Sequence, residues 1–180
     1  YNYSGTTEDG VGFAQREKQG GMLVAYNINA EQSAVAEVDP ELPAAARRFA
    51  ENAGFGDLAV VWCASAQGVT YVNLTPVKDG ALLYPDLIKV KLDESSGRVT
   101  GLDAMHYVFN HTDRTLPSPV LTAEEAAEKV PLPTVGGGRL ALIPMDETRE
   151  VLTYEFECES DGTYFVYIDA ATGEEVNILY

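Results

Sequence analysis

The sequence predicts an α+β fold of tandem modules, each one helix packed on a four-stranded antiparallel sheet. Three observations lead there. Two strand–turn–strand segments repeat at one spacing, a helix-start signal precedes each set of strands, and Gly-marked turns join strands rich in Tyr, Val, Thr and Phe.

The repeat is read directly from the residues. Val90-Lys91-Leu92-Asp93-Glu94-Ser95-Ser96-Gly97 aligns with Val166-Tyr167-Ile168-Asp169-Ala170-Ala171-Thr172-Gly173. Alternating apolar residues imply a half-buried strand, Asp bonds its own backbone in a turn, and Gly accepts positive φ. New alternating runs follow, with Val99 and Leu102 in one copy and Val176 and Ile178 in the other, so each reads as a hairpin. Gly97 and Gly173 stand 76 residues apart, and the same step back lands on Gly21. There Glu17 precedes the Gly by four residues, and Met22, Leu23, Val24, Tyr26 and Ile28 follow. Three copies are therefore expected, the first truncated. Residues 1–30 read as the closing hairpin of a repeat whose helix lies before Tyr1, with no helix ahead of the one near Pro40.

The complete modules are expected at 38–110 and 121–180. In the first, Asp39-Pro40 reads as N-cap and first helical residue; Leu42, Ala45, Ala46, Phe49 and Ala53 form an apolar face, and Gly54 ends it. In the second, Thr122-Ala123-Glu124-Glu125 is a capping box with Leu121 as its staple. Ala126, Ala127 and Val130 face inward, and Pro131 stops the helix. Strands are expected at 58–64, 69–76, 82–92 and 98–108, then at 139–144, 151–158, 163–169 and 174–179. Gln67-Gly68, Asp79-Gly80 and Asp161-Gly162 mark tight turns between antiparallel neighbours. The connector, residues 111–120, contains Pro117 and Pro119 and reads as stiff and extended.

Composition narrows the function classes. With 46% apolar and 22% charged residues the chain is globular in type rather than disordered. Its 28 acidic residues against 12 basic give −16, which disfavours nucleic acid and direct contact with anionic membrane, and allows a basic protein partner. Cys63 and Cys158 fall in strands of neighbouring modules; free thiols are favoured over a bridge. His106 and His111 are the two histidines, and neither H-E-x-x-H nor C-x-x-C occurs, so no metal or other cofactor is expected. No G-x-S-x-G stands in the sequence, and no Cys has a convincing His setting. The chain is expected not to be an enzyme.

The segment Tyr84-Pro85-Asp86-Leu87-Ile88-Lys89-Val90-Lys91-Leu92 strongly resembles a signature of the YpeB spore-germination family. The connector Asn110-His111, Arg114, Leu116-Pro117 and Pro119, and Thr122-Ala123-Glu124-Glu125-Ala126, resemble that family too. The repeated modules are similar to PepSY modules, so the resemblance spans the chain as the C-terminal part of a YpeB-like protein. It implies a non-catalytic protein that binds and stabilises or restrains a spore-cortex-lytic enzyme, a peptidoglycan hydrolase. It implies a place in the spore at or outside the inner membrane, with an N-terminal anchor beyond this sequence. PepSY propeptides imply a rival role as peptidase inhibitor or folding assistant.

The candidate contact or signature residues are Tyr84, Pro85, Asp86, Leu87, Lys89, Asn110, His111 and Arg114. Pro85 cannot donate to a ladder and marks an edge, a bulge or a strand start. Tyr84 is then either presented as a contact or packed over the helix, and packing is favoured. Lys89 and Lys91 face away from Ile88, Val90 and Leu92, as solvent lysines or as guards of an edge. His106 is expected on a strand and His111 in a structural hydrogen bond. Glu155, Glu157 and Glu159 alternate and read as a solvated strand face rather than as a glycosidase pair. Gly136-Gly137-Gly138 reads as a flexible link.

Overall fold

The structure is a computed structural model that describes every residue except Asp9, Ala30, Glu147 and Tyr180. In chain order the elements are β1 (Asn2–Thr7), β2 (Gly10–Arg16), β3 (Leu23–Asn29), α1 (Leu42–Ala50), β4 (Leu58–Ala66), β5 (Val69–Lys78), β6 (Ala81–Leu83), β7 (Ile88–Asp93), β8 (Val99–Asp103), α2 (Met105–Asn110), α3 (Ala123–Ala127), β9 (Arg139–Pro144), β10 (Glu150–Glu159), β11 (Thr163–Asp169) and β12 (Glu175–Leu179). They form two units, Tyr1–Pro76 with Asp86–His111, and Val77–Pro85 with Thr112–Tyr180. Val77–Pro85 lies inside the sequence-defined module 38–110 yet belongs to the second unit.

The first unit is an antiparallel sheet in the order β1-β2-β3-β8-β7-β5-β4. Helix α1 covers one face because Leu42, Ala46 and Ala50 recur at helical spacing and bury against Leu58, Val72, Leu74, Ile88, Val90, Leu92 and Leu102. Pro43 is tolerated in the first turn, and Arg47 and Arg48 suit the negative end of the helix dipole. The helix runs into a π-turn, Glu51–Phe55, where Gly54 takes φ 100° and buried Phe55 re-enters the core.

The second unit orders its strands β6-β9-β10-β11-β12. β6 pairs β9 in parallel, through Leu82 with Ala141 and Leu83 with Leu142, and the remaining pairs are antiparallel. The last two residues of β5 close a hairpin onto β6, with Val77 opposite Leu82 and Lys78 opposite Ala81. At the start of α3 Glu125 donates its N–H to Thr122 Oγ1 (3.2 Å), and Glu125 Oε2 accepts from Thr122 N–H (2.8 Å). This is the capping box read in the sequence. Ala126 then buries against Leu142, Leu152, Tyr154, Phe156, Val166 and Ile168.

The 76-residue repeat is structural. Gly21, Gly97 and Gly173 all take positive φ, at 72°, 67° and 77°. The bonds closing each turn correspond: Glu17 N–H to Met22 O (3.1 Å), Asp93 N–H to Arg98 O (2.9 Å) and Asp169 N–H to Glu174 O (2.8 Å). A register shift follows at the matching place in each hairpin, at Gln15/Arg16, Lys91/Leu92 and Tyr167/Ile168. Gly97→Val and Gly173→Val are each expected to cost about 1 kcal/mol or more, since a β-branched residue resists that conformation. Gly173 should cost more, because an added Cβ would stand 3.1 Å from Leu121 Cδ1, against 3.7 Å from Leu42 Cδ2 at Gly97. Unchanged melting of both variants would contradict the shared-turn account.

One of these turns is expected to be acid-sensitive. Asp93 Oδ1 accepts from Ser95 Oγ (2.6 Å), Ser96 Oγ (2.7 Å) and Ser96 N–H (2.8 Å). The Ser95 hydroxyl does most to hold this carboxylate below its usual 3.8, with Ser96 adding and burial opposing. The folded value lies below the unfolded one, so the stabilisation is complete above 3.8 and lost as pH falls through the lower value. Melting from about pH 6 to about pH 2 should show the wild-type advantage over Asp93→Asn shrinking with acid. A constant gap would contradict the assignment.

Several local expectations are corrected. The strand expected over 82–92 is broken into β6 and β7 by a 3-10 turn at Tyr84–Asp86, where the fixed φ of Pro85 is accommodated without a ladder donor. The strand expected over 98–108 stops at Asp103, whose Oδ1 accepts Met105 N–H (3.0 Å) and opens α2, so His106 sits on a helix and is exposed. Asp39 precedes α1 rather than capping it: Asp39 Oδ1 accepts Glu41 N–H (2.9 Å) in a turn, and Leu42 begins the helix. Residues 1–30 carry three strands rather than one hairpin. Gly138 is packed, with an added Cβ 2.5 Å from Phe156, so it is no mere flexible link. The cysteines agree with the expectation of free thiols: both are free, Cys63 exposed and Cys158 buried.

Candidate functional site

The signature segment contributes to both units, and each part is built from its own neighbours. In the first unit the Asp86 side chain has no exposed surface, and its Oδ2 lies 2.7 Å from His111 Nδ1. Helix α2 delivers His111, whose ring stacks on Tyr107 with centroids 4.3 Å apart at 10°. Tyr107 in turn meets Phe55 edge-on at 5.1 Å. Burial first, and the Asp86 charge second, push the Tyr107 phenol up. A buried carboxylate needs such partners, because desolvating a charge without them is costly. Asn110 ends α2 on the surface, Leu87 is half-buried, Lys89 is exposed, and Lys91 Nζ donates to Asn27 Oδ1 (2.7 Å).

In the second unit Tyr84 reaches inward. Its hydroxyl donates to Glu155 Oε2 (2.5 Å), and Arg139 Nε donates to Glu155 Oε1 (2.6 Å). Strand register makes the cluster: Glu155 on β10 stands directly opposite Arg139 on β9 and Tyr167 on β11. Tyr84 and Tyr167 meet edge-to-face at 6.3 Å. Burial pushes both phenols up, and the Glu155 charge adds to it. Burial alone would lower Arg139, and the Glu155 carboxylate reverses that, so its value rises. Pro85 is buried beside Tyr84. The connector is tied to β10 by Arg114, 9% exposed, which donates from Nε to Glu150 Oε2 and from its terminal nitrogen to Oε1, both at 2.9 Å. Lys78 Nζ donates to Asp113 Oδ1 at 2.6 Å.

Most of the signature side chains named from the sequence are thus internal anchors. The structure joins Asp86 to His111 and gives Tyr84 and Arg114 carboxylate partners. It leaves Lys89 and Asn110 on the surface. Glu155 is corrected: its side chain is 1% exposed, where an alternating acidic run suggested a solvated face. The alternation was real, but β10 is an inner strand, and Arg139, Tyr167 and Tyr84 close over that position. Arg139, Tyr167, Tyr107 and Trp62 were not singled out from sequence. An Arg opening one strand and a Glu inside the next are pairable, but only register brings them together. Among the described residues, no group of three or more His, Cys, Asp or Glu is placed to hold a metal ion, and no helix is long and apolar enough to cross a membrane.

Residues 8–117 match the family model described as YpeB sporulation, PepSY1 and PepSY2 domains, and residues 120–179 match that described as peptidase propeptide and YPEB domain. The chain is 36% identical to sporulation protein YpeB of Halalkalibacterium halodurans over 135 residues, 74% of this chain and 30% of that protein. It is 33% identical to sporulation protein YpeB of Bacillus subtilis over 135 residues, 72% of this chain and 30% of that protein. The match therefore spans 30% of the length of each relative. Among solved structures, the Bacillus megaterium YpeB C-terminal domain superposes with a TM-score of 0.84 at 24% identity, covering 99% of this chain and 82% of that one. At that identity the likeness is one of fold, and it is the tandem-module α+β fold expected.

Proposed function

We propose, since this chain belongs to the YpeB family of sporulation proteins built from PepSY domains, that it acts in germination by binding and stabilising or restraining a spore-cortex-lytic peptidoglycan hydrolase. The observation that carries the reading is the match to PepSY domains along nearly the whole chain, a family defined by peptidase propeptides and YpeB. Propeptides work by contact with a protein. The internal engagement of Tyr84, Asp86 and Arg114 supports a role for the signature in shaping the modules, with contact made by surfaces. The place of action in this proposal is the spore, at or outside its inner membrane.

The test is functional. The full-length protein is mixed with the purified hydrolase of the same source, and cortex-fragment hydrolysis and protease resistance of the hydrolase are followed. A slowed rate or prolonged survival of the hydrolase is expected at equimolar protein. Unaltered rate and unaltered survival would overturn the proposal. The description of the second match as a peptidase propeptide favours one alternative, an inhibitor or folding assistant of a peptidase. That reading expects slowed proteolysis by an extracellular metalloprotease with no effect on the hydrolase.

A further inference from the structure

The face of the first unit's sheet opposite α1 carries side chains the preceding account leaves unused. Two adjacent rows cross it, Trp62–Asn73–Lys89–Asp103 and Ala64–Tyr71–Lys91–Gly101. A register shift between Val60 and Trp62 puts Trp62 in line with Asn73, and such bulges re-aim side chains. Trp62 is 46% exposed and Tyr71 44%, and Lys89 is exposed beside them. Diagonal neighbours on a sheet lie roughly 7–8 Å apart, within reach of aromatic side chains, so Trp62 and Tyr71 belong to one exposed patch. Ala64 and Gly101 add little bulk to these rows: an added Cβ at Gly101 would stand 3.1 Å from Lys91 Cε, so the lysine stem lies over it. Lys91 is further held by Asn27.

The charge here runs against the rest of the chain. In a protein of net charge −16 these rows hold two lysines and one carboxylate, Asp103, whose Oδ1 is turned to the Met105 N–H. A partner helix needs a groove with aliphatic walls, and a partner strand adds to a sheet edge rather than a face. An exposed patch of rings, amide and ammonium suits sugars. The C–H faces of pyranose rings stack on aromatic faces, hydroxyls bond amides, and sugar carboxylates pair with lysine.

We propose that this face binds an acidic glycan, a chain of pyranose sugars bearing carboxylates. Trp62 and Tyr71 stack on the rings, Asn73 bonds hydroxyls, and Lys89 pairs with a carboxylate. This activity is separate from the binding of a hydrolase and stands or falls without it.

Trp62 is the only tryptophan of the chain, so its emission reports the site directly. The probe is a hyaluronan hexasaccharide, with neutral chitohexaose and a glutamate-rich peptide for comparison. A saturable change with hyaluronan is expected, diminished at high salt. Tyr71→Ala and Lys89→Glu should each weaken it about tenfold, the loss of one stacking or charged contact. Chitohexaose should bind about tenfold more weakly for want of carboxylates. Both variants replace exposed side chains, and unchanged melting will confirm that they fold. No saturable response to hyaluronan, wild-type affinity in both variants, or preference for the glutamate-rich peptide would overturn the proposal, the last marking a protein-docking face instead.

Discussion

Arg139→Met is expected to lower stability by about 3 kcal/mol, because it leaves a buried carboxylate without its cation. Glu155 is 1% exposed at its side chain, whereas Arg139 is 42% exposed. The pair is therefore asymmetric. Removing Glu155 frees an arginine that can turn to water, but removing Arg139 leaves Glu155 in the sheet with neutral hydroxyls, those of Tyr84 and Tyr167, in place of its cation. Glu155→Leu alone should cost less than Arg139→Met, and the double variant should recover about half of the single loss or more, as buried ion pairs do when both charges go. Urea unfolding of the three variants measures this. A loss within about 0.5 kcal/mol for Arg139→Met would mean that the pair behaves as a surface ion pair.

His111→Ala is the second large effect, expected at about 2 kcal/mol or more. The logic is the same: His111 is 42% exposed at its side chain and Asp86 is 0% exposed, so the costly event is stripping a contact from the buried acid. The variant also loses the stack on Tyr107. His111→Phe separates the two contributions, since it keeps a ring over Tyr107 and removes only the hydrogen bond. Thermal melting should rank wild type above Phe, and Phe above Ala. Equal melting of all three would show that the signature pair does not hold its turn.

What could be read in the sequence was what local chemistry decides. Asp and Gly at fixed spacing place a turn wherever they occur, and the three turns at Gly21, Gly97 and Gly173 share their conformation and their closing bonds. The strands at 139–144 and 163–169 coincide with β9 and β11 because turn residues bracket them closely. The capping box at Thr122 is equally local. What escaped depends on partners distant in sequence. Parallel pairing of β6 with β9 joins Leu82 to Ala141, which no local pattern encodes. Burial of Glu155 follows from register, and the aim of Trp62 from a bulge. Helix α2 was missed because Tyr107, Val108 and Phe109 favour strands. Buried Ala104 and Tyr107, spaced by three, with Asp103 at the start, were the helical signal. At the candidate site the residue types were legible and their direction was not: Tyr84 and Arg114 turn inward to carboxylates that sequence could not pair with them.

The most direct measurement is size-exclusion chromatography with light scattering on this chain and on its full-length form, each alone and mixed with the cortex-lytic hydrolase of the same source. Co-elution at a defined combined mass is the predicted result. Separate elution of both forms at micromolar concentration would contradict the hydrolase-binding account.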